Sequence, residues 1–229
     1  MNLIASLKAR NAAASMSKGK SAEALKLYEE AIAAGLNEPR YILSYSVLLI
    51  REGQYQKARE LLVANQKNPQ LTDDSRRQLY VNYAVCVYKL GDMQKGIELL
   101  ERQHEKEPSG LIYETLGYLY IEAGETEKAL AFNQEAMAYD EEDAITLDNL
   151  GQVYYRLLHD HEAARTYFER AIALKPSQID TLYFLAQLDI ASGDHSAAKE
   201  KLEKALQGRF SPLNYATRDK VQEALAKLA

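Results

Sequence analysis

The side chains best suited to binding a metal ion are His159 and His161, which flank Asp160. Imidazole and carboxylate are ordinary zinc ligands, but a zinc site needs three or four ligands that converge on one point. No third ligand follows at a useful spacing, and His104 and His195 are far away in the sequence. We therefore interpret the His-Asp-His run as part of a turn and expect no metal.

Four consecutive acids, Asp140 to Asp143, could in principle suggest calcium binding. They lack the ligand spacing and the central glycine of an EF-hand loop, so a solvated loop explains them better. The chain also has no phosphate-binding glycine pattern and no grouping of nucleophile and base. The sequence therefore predicts a protein that is not an enzyme and that uses no cofactor.

Cys86 is the only cysteine, which excludes an intramolecular disulfide. It lies in the apolar run from Tyr83 to Val87, where cysteine usually behaves as a small buried hydrophobe. No cationic neighbour is evident that would activate the thiol.

The elements that carry these residues recur at a nearly fixed period. Glycines repeatedly mark the boundary between two apolar-periodic segments. A variant turn at 158–160 takes the place of a glycine turn once, and we expect this turn to contain one extra residue. Successive turns are 34, 38, 33, 35 and 34 residues apart, at Gly19, Gly53, Gly91, Gly124, His159 and Gly193. A period of this size predicts stacked helix pairs, and such arrays work mainly through extended binding surfaces.

Charge is distributed unevenly along the chain. The net charge is −5, of which residues 1–110 contribute +3 and residues 111–229 contribute −8. An acidic chain without a basic stripe argues against nucleic acid as a ligand. The N-terminus lacks the apolar core of a signal peptide, and no window is apolar enough to span a membrane, so we expect a cytoplasmic location and no membrane partner.

One repeat shows the residue pattern most clearly. The first helix carries Tyr113, Leu116-Gly117 and Tyr120, Gly124 follows as a left-handed cap, and the second helix carries the small residues Ala129, Asn133 and Ala136. This pattern resembles the tetratricopeptide repeat, with an aromatic, Leu-Gly, Tyr, then Ala, an aromatic and Ala before a Pro.

The resemblance covers nearly the whole chain and implies one domain, 1–229. Its fold would be an all-α, right-handed α-solenoid of about six antiparallel helix pairs with a C-terminal capping helix at 214–229. The repeats would span residues 5–38, 39–72, 77–109, 110–143, 144–178 and 179–212.

The resemblance also implies where a ligand would bind. In this family the first helices line a concave groove, which here would be apolar in the early repeats and acidic in the later ones. A partner would then be a protein or peptide with apolar anchors and some basic character. The implied groove residues are Leu43, Val47, Ile50, Val81, Val85, Tyr88, Glu114, Tyr118, Ile121, Asp148, Gln152, Tyr155, Asp180 and Tyr183.

Three roles fit this surface. The first is an adaptor or co-chaperone-like scaffold that binds a peptide segment in the groove. The second is a self-assembling structural scaffold, a homo-oligomer that pairs through Leu3, Ile4 and Leu7, and the third is a regulator that binds a small signalling peptide. The carboxylate clamp that holds chaperone tails in this family is not expected, because Leu43 and Val47 stand where cationic and amide side chains would be needed.

Overall fold

All regular structure in residues 2–228, which are the residues that the computed structural model describes, is helical. This confirms the predicted all-α fold. The α-helices are α1 (Leu3–Ser17), α2 (Ser21–Ala33), α3 (Pro39–Arg51), α4 (Tyr55–Asn65), α5 (Asp73–Lys89), α6 (Met93–His104), α7 (Gly110–Ala123), α8 (Thr126–Tyr139), α9 (Ala144–Gln152), α10 (His161–Leu174), α11 (Ile179–Ser192), α12 (His195–Leu206) and α13 (Arg218–Ala226), and a π-helical segment, Val153–Leu158, follows α9.

Consecutive helices form antiparallel pairs, and the pairs belong to two compact units. The first unit runs to Glu107 and contains three pairs, α1 with α2, α3 with α4, and α5 with α6. The second unit begins at Pro108 and contains α7 with α8, α9 and the π-helical segment with α10, α11 with α12, and then α13. The extent of the single domain and of each repeat stays a prediction.

Small side chains hold the first pair together. Ala9 and Ala12 of α1 and Ala24 and Ala31 of α2 are fully buried, so the two backbones can approach closely. The stripe recurs at helical spacing, and most of the stability of such a pair comes from burying this face.

The longest turn-to-turn step, 38 residues, is accommodated by a longer helix. Helix α5 has seventeen residues, against thirteen in α3 and fourteen in α7. Its start is well defined, because Thr72 Oγ1 accepts a hydrogen bond from the backbone N–H of Ser75 at 3.2 Å. Asp73 and Asp74 follow in the first turn, where acids stabilise the positive end of a helix.

The turn at 158–160 differs from the glycine turns but performs the same function. Gly124 ends α7 in the left-handed conformation, with φ 71°, and His159 adopts it with φ 57°. The extra residue of this repeat, expected in the turn, is absorbed before it, where the backbone winds as a π-helix from Val153 to Leu158. A π-helical turn takes up one added residue without breaking the helix.

The predicted capping helix, 214–229, corresponds to α13. The helix begins at Arg218 because Thr217 Oγ1 caps it, accepting from the backbone N–H of Lys220 at 3.3 Å. Val221 and Ala224 are buried against α11 and α12. Residue 229, the last of the predicted range, lies outside the described residues. Within 2–228 no helix is both long and apolar enough to cross a bilayer.

Two glycines allow first and second helices to touch in the second unit. A Cβ added to Gly117 would clash with the Asn133 amide, which itself donates to the Gly117 carbonyl at 3.3 Å. A Cβ added to Gly151 would clash with the Phe168 ring, with Cζ at 2.8 Å. Phe168 is fully buried, so the ring has no room to move aside.

We therefore expect Gly151→Ala to lower the free energy of unfolding by about 1–3 kcal/mol through overpacking, despite the better helix propensity of alanine. Chemical denaturation followed by circular dichroism measures this. Gly110→Ala is the matched control, because nothing lies within 4 Å of an added Cβ there. Equal stabilities of the two variants would contradict the assigned contact.

Candidate functional site

The second unit contains a groove whose walls carry three carboxylates. The first helices α7, α9 and α11 contribute most of its lining, and the segment between α12 and α13 closes one side. The groove has a volume of about 260 Å³ and is lined by Glu114, Thr115, Tyr118, Ile145, Asp148, Asn149, Gln152, Lys175, Gln178, Asp180, Ser211, Leu213 and Asn214. We call it the acidic groove.

Asp180 is buried and is satisfied by the chain itself. Its carboxylate accepts hydrogen bonds from Asn214 Nδ2 at 3.1 Å and from the backbone N–H groups of Tyr215 at 3.1 Å and Ala216 at 2.9 Å. Burial nevertheless raises the pKa of Asp180, although the three donors and Arg156 oppose the shift. This carboxylate therefore anchors the segment between α12 and α13.

Asp148 is equally buried but is held only by neutral donors. Oδ1 accepts from the Thr181 hydroxyl at 2.5 Å, and Oδ2 accepts from Gln152 Nε2 at 2.8 Å. Burial and the nearby Asp180 raise the pKa of Asp148, since both disfavour its charged form. The hydrogen bonds from Thr181, Gln152 and Gln178 oppose this shift but supply no positive charge.

Glu114 is the half-buried residue at the other end of the acidic groove. Within residues 2–228 its carboxylate accepts no hydrogen bond and forms no ion pair. Burial, and then repulsion from Asp143, raise its pKa to about 7, while Lys175 acts in the opposite direction. Among the described residues, Glu114 therefore has no hydrogen-bond or ion-pair partner, and Asp148 has neutral donors but no ion-pair partner.

Tyr215, one of two aromatic residues in the α12–α13 segment, holds that segment beside the acidic groove. Tyr215 lies between two cations, with Arg156 Cζ 4.1 Å and Lys220 Nζ 3.7 Å from its ring centroid. Arg156 also pairs with Glu122 at 2.7 Å and donates to Gln152 Oε1 at 2.9 Å. Through Arg156, the segment that carries Tyr215 is therefore linked to α7 and α9.

The predicted groove residues of the second unit divide between two surroundings. Five of them line the acidic groove together, namely Glu114, Tyr118, Asp148, Gln152 and Asp180. Two pack in an aromatic cluster: the Tyr155 ring lies 5.0 Å from Phe184, and Tyr183 lies 5.5 Å from the same ring. Ile121 is fully buried and offers almost no surface.

The predicted groove residues of the first unit lie on α3 and α5 and are mostly buried. Val47 and Tyr88 are half exposed, and Lys89 Nζ lies 4.5 Å from the Tyr88 ring centroid. The buried members are Leu43, Ile50, Val81 and Val85. Side chains with so little exposed surface can add shape to a binding face but little contact area.

Several lining residues have no signal in the repeat pattern. Ser211, Leu213 and Asn214 come from an irregular segment whose Ser-Pro and Asn residues predict a loop but not the place where it packs. Lys175 stands just before the Pro176 that ends its repeat, a position defined by chain termination rather than by a binding surface.

The arrangement of side chains in residues 2–228 does not indicate a metal site or an activated thiol. Across residues 2–228 no three His, Cys, Asp or Glu side chains are placed to hold a metal ion. Cys86 is fully buried, as predicted for a small hydrophobe. Burial raises the pKa of its thiol to about 12, although Arg59, a cation that the sequence did not indicate, acts in the opposite direction.

Family comparisons agree with the helix-pair geometry. Two tetratricopeptide repeat models match residues 109–177 and 155–228, which together make up more than half of the chain. The chain is a tetratricopeptide repeat protein. Residues 17–103 also match the model of anaphase-promoting complex, cyclosome, subunit 3. A comparison with curated protein sequences finds no significant match.

Solved structures with the same fold are distant in sequence. TTC0263, a thermophilic tetratricopeptide repeat protein of Thermus thermophilus, is 20% identical with a TM-score of 0.67, over 83% of this chain and 98% of its own. PilW, a type IV pilus biogenesis factor, is 15% identical with a TM-score of 0.69, over 98% and 100%. A chain of the Cut9–Hcn1 assembly of the APC/C is 15% identical with a TM-score of 0.70, over 98% of this chain and 42% of the matched chain. Membership of the tetratricopeptide repeat family supports the general prediction of a protein-interaction scaffold.

The raised pKa of Glu114 predicts a pH dependence of stability. A carboxyl whose pKa is higher in the folded state stabilises the fold below its ordinary pKa of 4.5, and this contribution is lost as the pH rises through about 7. Glu114→Gln mimics the protonated form, so we expect little change at pH 5 and a gain of about 1 kcal/mol at pH 8, after allowance for solvent screening.

Urea unfolding at the two pH values measures this difference. Glu142→Gln, in the exposed loop before α9, removes the same charge from the same unit and serves as the control. A stability difference for Glu114→Gln that does not grow between pH 5 and pH 8 would show that this carboxyl is not desolvated as described.

Proposed function

We propose that this protein is a non-catalytic, cytoplasmic scaffold whose second unit binds a basic peptide segment in the acidic groove. The observation that carries the proposal is the Glu114 carboxylate, which is half-buried and has no hydrogen-bond or ion-pair partner among residues 2–228. Leaving such a group unpaired costs free energy, and a bound cation would remove that cost.

The charges of the acidic groove favour a cationic ligand. Three carboxylates, Glu114, Asp148 and Asp180, line it together with one cation, Lys175, and Arg156 acts on Asp180 from outside the lining. Asp180 already accepts three hydrogen bonds from the chain, and Asp148 is only 4% exposed. Glu114 would therefore contact the ligand, and Asp148 would add negative potential beside it. A guanidinium suits the Glu114 carboxylate better than an ammonium, because its planar array of donors can contact two oxygens at once.

The apolar lining fits the stem of the same side chain. Tyr118, Ile145 and Leu213 line the acidic groove beside the carboxylates. Long basic side chains pack their methylene groups against such surfaces while their charged ends reach acceptors. The volume of about 260 Å³ suits one or two side chains of an extended segment rather than a folded domain.

Binding can be tested with capped peptides of alternating Leu and Arg and with counterparts in which Gln replaces Arg. We expect the Arg peptide to bind more tightly in fluorescence anisotropy, and more tightly at pH 8 than at pH 5.5, because ionised Glu114 is the form that pairs with it. Glu114→Gln and Asp148→Asn should each weaken binding by about tenfold or more.

Glu142→Gln again provides the matched control and should leave the affinity within about twofold, while circular dichroism checks that each variant is folded. Equal binding of the Arg and Gln peptides, or an unchanged affinity of Glu114→Gln, would exclude the acidic groove as a cation site.

A second candidate function, self-assembly, is favoured by an apolar face on α1. Leu3, Ile4 and Leu7 are 78%, 64% and 51% exposed, which is unusual for three neighbouring aliphatic residues. With Arg10 and Arg40 they line a second groove of about 310 Å³. Covering this face with another copy of the chain would bury the three side chains together.

Sedimentation equilibrium distinguishes this role from a monomeric scaffold. If copies pair through α1, the wild-type mass should rise with concentration, and Leu3→Glu/Leu7→Glu should stay monomeric. Leu174→Glu, at a residue 48% exposed on α10, is the control and should associate like the wild type. Identical masses for all three proteins at every concentration would remove self-assembly through this face.

A further inference from the structure

Another cleft, distinct from the groove beside α1, lies in the first unit between the second helices of two pairs. Leu62 and Val63 of α4, with Gln66 just after it, form one wall, and α6 forms the other with Lys95, Leu99 and Arg102. Helix α5 provides Leu79, Tyr80 and Tyr83 between them, and the cleft has a volume of about 350 Å³. We call it the cationic cleft.

The interior of the cationic cleft is apolar and partly open. Leu62 and Leu79 are buried, whereas Val63 is 44% exposed. Tyr80 and Tyr83 are half exposed, and their hydroxyls make no hydrogen bond within residues 2–228. Tyrosine in such a position offers a flat apolar ring and a polar group, a combination enriched at binding hot spots.

The rim of the cationic cleft carries two cations without counter-ions. Neither Lys95 nor Arg102 has a carboxylate within ion-pair distance in the described part of the chain. They stand seven residues apart on α6, and Leu99 lies between them on the same face. Two helical turns separate them by about 10 Å along the helix axis.

We propose that the cationic cleft binds an amphipathic helix of a partner protein whose apolar stripe is flanked by two acidic residues seven positions apart. A cleft with ridges of side chains on both sides can accept a further helix by ridge-into-groove packing. Acids at that spacing on the bound helix would face Lys95 and Arg102 together. The excess positive charge of residues 1–110 also favours an acidic ligand.

This ligand differs in charge from the one proposed for the acidic groove. The two sites use different helices in different units, so neither proposal depends on the other. A basic segment would be repelled by Lys95 and Arg102, and an acidic helix would be repelled by Glu114 and Asp148.

The test uses a fluorescein-labelled, Ala-based helical peptide of about sixteen residues, long enough to form a helix when bound. It carries a Leu stripe and two Glu residues seven positions apart, and its counterpart has Lys in place of both Glu. Anisotropy titration with the full chain should give saturable binding of the Glu peptide and at least tenfold weaker binding of the Lys peptide.

Lys95→Glu/Arg102→Glu should weaken binding of the Glu peptide by about tenfold or more, and Val63→Asn should weaken it by about threefold through lost apolar contact. Lys26→Glu/Arg51→Glu is the matched control, because it changes the net charge equally on α2 and α3, outside the cleft. Its affinity should stay within about twofold of the wild type, with circular dichroism unchanged for every variant.

Three outcomes would overturn the proposal. They are equal binding of the Glu and Lys peptides, an equal loss of affinity in the cleft and control variants, and no binding of the Glu peptide by the wild type. Binding of vesicles of anionic lipid that the cleft variant abolishes, without binding of the Glu peptide, would assign the cationic cleft to a membrane surface instead.

Discussion

The close approach of two helices at residues with little or no side chain is the contact on which the rest of this structure depends. In the second unit Gly117 admits the Asn133 amide and Gly151 admits the Phe168 ring. These contacts fix each first helix against its own second helix, so equivalent positions of successive first helices come side by side. Glu114 and Asp148, which are 34 residues apart, reach one groove for this reason.

Three buried or half-buried carboxylates differ in the partners that surround them. Asp189 is buried and pairs with Lys201 at 2.6 Å and with Arg165 at 3.0 Å. Asp180 receives three donors from the α12–α13 segment. Glu114 has neither kind of partner within residues 2–228. Since burying a carboxylate is costly unless it is paired, the contrast separates carboxylates that serve the fold from one that is free for a ligand.

Periodicity predicted the helix pairs and the turn residues because small residues, left-handed glycines and apolar stripes are local requirements of each repeat. The groove residues came instead from the resemblance to the tetratricopeptide repeat, which implied that Glu114, Tyr118, Asp148, Gln152 and Asp180 share a face, and they do line one groove. Periodicity could not predict burial, which depends on neighbouring repeats, and it placed the extra residue in the turn rather than in the π-helical segment. The segment after α12 has no period, so nothing local indicated that it closes the groove.

Unpaired charge is the property that both candidate binding sites share, and its sign is opposite in the two units. Among the described residues, Lys95 and Arg102 lack carboxylates beside an apolar cleft, and Glu114 lacks a cation beside an apolar groove. Exposed charges pair or stay hydrated at little cost. An unpaired charge therefore indicates a binding site only where apolar side chains restrict water around it. This condition holds for the half-buried Glu114, where a cation gains more than on an open surface because the local dielectric is lower, whereas the exposed Lys95 and Arg102 only favour a ligand of negative sign. If both proposals hold, sites of opposite sign would also discriminate, since each would repel the ligand that the other attracts.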